Sequence, residues 1–209
     1  MADVLAGTVD AALLAEFGEL ELWTATATVA RAATAAGHAR LGRLSGSFHA
    51  AERIRERAGR LLDPAYPAFE RQTGLDATVP PTALERDARE VVVTGALRAD
   101  HAVDAARLAV LAEVGVPLMA LDAGRTDGPW RLTATAGEPY RDGTGSAPGD
   151  LVVADAVGPV APVVGDPPGR LVAGAKARTV LLYAVRVPGV ASWEVSEAVW
   201  RAVHYLAAT

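Results

Sequence analysis

The chain has 209 residues, no cysteine, a formal net charge of −5 and an apolar content of 51% in which alanine is prominent. That length can bury a substantial core. The missing thiols exclude disulfides, thiolate metal sites and cysteine nucleophiles, and the modest acidity argues against affinity for nucleic acid drawn mainly from phosphate contacts.

Residues 2–16 read as a short Ala/Leu helix. The stretch 19–30, ELELWTATATVA, alternates: Leu20, Leu22, Thr24, Thr26 and Thr28 fall on one face, and Trp23, Ala25, Ala27 and Val29 on the other. That period of two predicts a strand. The following ATAAGHARLGRLSG lacks a clean period and reads as a loop or a weak helix. Residues 48–62 are expected to be helical, with Ile54, Ala58 and Leu61 on one stripe. Arg31, Arg40 and Arg43, then Arg53, Arg55, Arg57 and Arg60, give the first third a local positive excess, read first as solvated helix faces.

DPAYPAFERQTGLD (63–76) predicts a proline-punctuated turn and a short helix. Thr82 and Glu85 fit a capping box that opens another helix after Pro81. Asp100 is placed to cap a further helix, carrying Val103, Leu108, Leu111 and Val114 and ending at Gly115. VPLMALDA (116–123) then reads as a buried strand and PWRLTATA (129–136) as another. A glycine- and proline-rich loop follows, and then four β segments: DLVVADA, GPVAPVVG, RLVAGA and RTVLLYAVRV. Ser192 is placed to cap a last helix striped by Val195, Val199, Val203 and Leu206.

Strands that cluster instead of alternating with helices predict an α+β fold. It is expected as one domain over 1–209, with a mostly antiparallel sheet and helices at the N-terminus, middle and C-terminus. The acidic N-terminus does not resemble a signal peptide, and no apolar run approaches the roughly 18 residues that span a bilayer. A cytoplasmic protein with no membrane partner is the expectation.

No phosphate-binding loop of either common type is present, and GTGSAPG (143–149) has no helix behind it to hold a phosphate. The four histidines are scattered, and no metal or cofactor is expected. His101 and Asp104 stand three apart, a spacing that suits an acid/base pair or, more plainly, a cap with a surface ion pair. Asp122 and Asp155 end β segments, where an acid usually caps the next turn.

The order of four pieces carries a resemblance: HAVDAARLAVLAEVGVPLMALD, DGPWRLTATAGEPYRDGTG, GDLVVADAVGPVAPVVG and TVLLYAVRVPGV. Over about residues 10–208 they look like the B-three/four domain, the tRNA-editing domain of the bacterial phenylalanyl-tRNA synthetase beta chain. The N-terminal strand and AFERQTGLD resemble free-standing versions of that domain. The resemblance implies a frame in which Val103, Asp104, Gly115, Pro117 and Asp122 match the family's scaffold positions. It also implies a changed pocket. The family's recognition Thr and Asn fall on Ala106 and Arg107, its His on Met119 and its Glu on Tyr183, while its glycine-rich turn becomes VVGDPPG.

On this carry-over Tyr183, Arg107, His101 and Asp104 are the candidate catalytic residues. Ala106, Met119, Leu121 and Trp130 are the candidate substrate-binding ones. An arginine beside an apolar pocket suits a carboxylate or other oxyanion, and a phenol can donate a hydrogen bond. The expected function is a cofactor-independent enzyme of hydrolase or lyase/cyclase type. It would perform acid/base chemistry on an amino-acid-derived or carboxylate-bearing small molecule of specialised metabolism. The alternatives are a free-standing deacylase of aminoacyl-tRNA and a non-catalytic binding module, with self-association left open.

Overall fold

The computed structural model describes residues 3–46, 62–73, 96–163 and 165–207. All but Leu62 of the helix expected over 48–62, its arginines included, and the one expected after Pro81 lie outside the described residues.

Two four-stranded sheets carry the fold. The first has the order β1 (Leu5–Ala6), β3 (Glu21–Thr28), β8 (Thr179–Arg186), β4 (Met119–Asp122), antiparallel throughout. The second has the order β2 (Thr8–Val9), β5 (Arg131–Ala134), β6 (Leu151–Ala154), β7 (Pro159–Pro162). Its β2–β5 pair is parallel and its other pairs are antiparallel. The α+β expectation therefore holds at the level of class, with antiparallel pairing dominant.

β8 shows why the central strand reads as a continuous apolar run and not an alternating one. Val180 to Val185 are all buried, because β3 and β4 flank the strand and both of its faces are covered. One apolar cluster runs through both sheets, from Leu22 and Leu182 to Leu132 and Val160. The helices are α1 (Ala11–Phe17), α2 (Ala33–Ser45), α3 (Ala65–Gln72), α4 (Ala102–Val114) and α5 (Ser192–Ala207). Among the described residues no helix is long and apolar enough to cross a membrane.

Several expectations are corrected. The single helix over 2–16 is instead β1, β2 and α1. Gly7 separates the two short strands where a Cβ would come within 2.7 Å of Leu22, so the backbone there lies close against β3. RLVAGA is not a full strand. It touches β4 only through the Leu121–Val172 bridge, flanked by the amides of Asp122 and Ala173 bonded to the carbonyls of Leu171 and Ala120. That segment still covers the otherwise open edge of β4. Helix α4 starts one residue later than expected: His101, not Asp100, is the capping residue, extended at φ −144°, and its side chain makes no cap bond. Gly115 does end α4, at φ +86° with its amide on the Leu111 carbonyl.

The region 33–45 is a regular helix despite Gly37 and Gly42. Packing overrides its weak propensity, because a Cβ on Gly37 would lie 2.7 Å from the Ala105 Cβ, so the glycine lets α2 approach α4 closely. Gly37→Ala is expected to lower stability by about 1–3 kcal/mol through overpacking. Gly42→Ala, exposed and with no neighbour within 4 Å of its Cβ, should stabilise by roughly 0.5–1 kcal/mol. Urea denaturation of the two variants checks the opposite signs.

Candidate functional site

Among the described residues a shallow hollow, open to solvent, lies where α3, the C-terminal half of α4, the start of β4 and the end of β8 converge. Tyr66, Phe69, Leu111, Met119, Tyr183 and Val185 line most of it, with Glu70 the charged residue in its wall.

Each wall is built by local rules. Asp63 takes the Ala65 amide on its carboxylate at 2.9 Å, and Pro64 presets the entry into α3. The Asp63 amide bonds the Gly115 carbonyl at 2.9 Å, tying the start of α3 to the end of α4. Tyr66 then donates its hydroxyl to the Val185 carbonyl at 3.0 Å, fastening α3 to β8. On the sheet side Met119 and Tyr183 are direct partners in the β4–β8 register, so their side chains leave the same face.

Tyr183 is 1% exposed, yet its hydroxyl has no hydrogen-bond partner among the described residues. A buried, unsatisfied hydroxyl costs about 1–3 kcal/mol and calls for a reason. Burial pushes its pKa far up. Arg107 opposes that shift with its positive charge, and Tyr140 and Asp166 reinforce it. At neutral pH it is a neutral phenol, a hydrogen-bond donor and not a base.

Behind Met119 sits Arg107, 7% exposed. Its Nε–H donates to the Leu118 carbonyl at 2.8 Å, one Nη to Asp104 at 3.3 Å and the other to the Met119 sulfur at 3.4 Å. Asp104 is shared, since its second oxygen lies 3.0 Å from His101 Nε2. Both carboxylate contacts follow the i, i+3 spacing on α4. His101 Nδ1 is buried without a partner among the described residues.

The structure therefore brings together some of the residues expected from the sequence. Met119 and Tyr183 face the hollow, Arg107 touches it through Met119, and Asp104 and His101 form a chain leading from Arg107 toward the start of α4. The other candidates lie elsewhere. Ala106 is two helical turns before Glu113, whose carboxylate engages Arg40, Arg201 and Tyr205, so Ala106 belongs to the side of α4 that meets α2 and α5. Leu121 is fully buried opposite Leu181 within the sheet, two residues past Met119 and beyond the hollow. Trp130 is half-buried at the lead into β5, its carbonyl accepting the Thr8 amide at 3.0 Å.

Tyr66 and Phe69 were not singled out from the sequence, and Leu111 was read only as part of the apolar stripe of α4. A signal existed: two aromatics three apart, Tyr66 and Phe69, in a short helix that also holds Pro67, seldom serve a solvent face. Asp122 and Asp155 prove to be turn acids. Asp122 accepts the Gly124 amide at 3.0 Å, and Asp155 accepts those of Asp127, Val157 and Gly158.

No protein-family model matches this sequence, and no curated protein matches it.

Proposed function

We propose that the chain is a cofactor-independent enzyme acting on a small acyl compound, amino-acid-derived or carboxylate-bearing, on a frame like that of the B-three/four editing domain. The substrate's apolar body lies against Phe69, Leu111 and Val185, and its acyl oxygen accepts the Tyr183 hydroxyl. The reaction class is hydrolysis, elimination or cyclisation, in which negative charge gathers on that oxygen and the neutral phenol stabilises it.

One observation carries the reading: a phenol 1% exposed, in the wall of an apolar hollow, with its donor unspent among the described residues. A core tyrosine with a purely structural role uses its hydroxyl, as Tyr66 does on the Val185 carbonyl. The mostly apolar lining favours a small organic molecule over the ribose and phosphate of a tRNA end.

The test is incubation with a panel of amino-acid esters, N-acyl amino acids and Tyr-tRNA, followed by mass spectrometry of the products. Turnover of at least one small acyl compound without deacylation of the tRNA is expected. Deacylation of tRNA alone would move the protein to the editing hydrolases, and no turnover of any compound would overturn the enzyme reading.

A further inference from the structure

Behind the Met119 wall of the hollow lies a cation, Arg107, whose acceptors among the described residues are unequal. Of the three donor groups of Arg107, Nε is committed to the Leu118 carbonyl at 2.8 Å and Nη1 to Asp104 at 3.3 Å. Among the described residues Nη2 meets only the Met119 thioether, 3.4 Å away, a weak acceptor. Asp104 is shared as well, its other oxygen lying 3.0 Å from His101 Nε2. Across the strand from Met119 stands the unpartnered Tyr183 hydroxyl.

We infer that Met119 is a displaceable plug over an anion site, and that the preferred ligand is a free monocarboxylic acid on an apolar body. When the thioether turns aside, one carboxylate oxygen takes the Arg107 Nη2–H and the Tyr183 O–H closes on the other. The inference rests on the hollow being a small-molecule site and adds a ligand to the acyl substrate: the ionised acid, the form that acyl hydrolysis releases, held by the same Tyr183 hydroxyl.

Chemistry favours the exchange. It replaces the weakest of the three guanidinium contacts with a charge-assisted hydrogen bond. Methionine is unbranched, with soft torsions, so its departure costs little. The Nε and Nη1 bonds hold the guanidinium plane in place, so its remaining donor is preorganised. A primary amide presents an acceptor of the same shape without the charge, and it also brings an N–H₂ that would face one of the two donors. It is the discriminating control.

Met1 and Met119 are the chain's two methionines, so methyl-labelled methionine gives one internal NMR probe, placed on the plug. The full chain is titrated with phenylacetate and 4-phenylbutyrate, each beside its primary amide. The acids are expected to shift the Met119 methyl resonance saturably and to bind at least about tenfold tighter than the amides. Equal affinity of acid and amide, or acid binding that leaves the Met119 methyl unmoved, overturns the anion site while the hollow remains a ligand site. If neither acids nor amides bind at all, the small-molecule reading falls and takes this inference with it.

Discussion

Tyr183→Phe is expected to reduce turnover of the substrate by about 100-fold or more while leaving the protein as stable as before or slightly more stable. The loss follows from removing one preorganised donor aimed at developing negative charge, which typically costs about 10²–10³ in rate. The gain follows from the same fact seen in the free protein. The hydroxyl is buried and unpartnered among the described residues, and phenylalanine keeps the ring while deleting a polar atom that no contact satisfies there. Paired measurement of initial rates and urea midpoints checks both. A tyrosine held for structure alone would show the reverse: unchanged rates and a lower midpoint. Such opposition between activity and stability is expected where a polar group is kept for a ligand.

Asp155→Ala is expected to lower stability by about 3–5 kcal/mol. The Asp155 side chain is 0% exposed and carries four bonds: the amides of Asp127, Val157 and Gly158, and Arg141 Nη1 at 2.6 Å. These contacts gather the turn after β6, the segment ahead of β5 and the loop of Arg141, whose amide bonds the Pro159 carbonyl on β7. Removing the carboxylate leaves three amides to find water and Arg141 to fall back on Asp127, 3.2 Å away. The same group gives the acid limb of the stability curve. Burial alone would raise the Asp155 pKa, but the three amides and Arg141 outweigh it and hold the carboxyl below its ordinary value of 3.8. A carboxyl depressed on folding contributes stability that is fully present above its unfolded pKa and lost as pH falls through the folded one. Wild type should therefore lose stability below about pH 4 more steeply than Asp155→Ala, whose curve is already low and flatter there. Urea titrations between pH 3 and pH 7 read both the offset and the slope.

The elements that could be read from sequence are those where a single period dominates. The alternation of β3, the apolar run of β8, the glycine stop of α4 and the Val195–Val199 stripe of α5 each follow from one face, or two, being buried. What escaped was set by tertiary contact. Helix α2 carries two glycines, and Gly37 is explained only by the neighbouring Ala105. β1 and β2 are two residues each, too short for any period to register. At the candidate site, Met119, Arg107 and Tyr183 were identified through the order of motifs and the family resemblance, not through spacing. They come together because β4 pairs with β8 and α4 packs behind β4. Ala106 was placed beside Arg107 in sequence, but one residue turns a helix by about 100°, enough to move it to the face that meets α2 and α5. The α3 aromatics were legible as a helix, but the Tyr66–Val185 bond that makes them a wall is visible only in three dimensions.

The most direct measurement is a crystal structure of the protein soaked with an apolar acyl ligand at saturating concentration. The account predicts ligand density in the hollow between Phe69 and Met119, with a ligand oxygen within hydrogen-bond distance, about 2.5–3.0 Å, of Tyr183 Oη. Density confined to another surface, or a Tyr183 hydroxyl bonded to a group of the protein itself with the hollow closed, would contradict it.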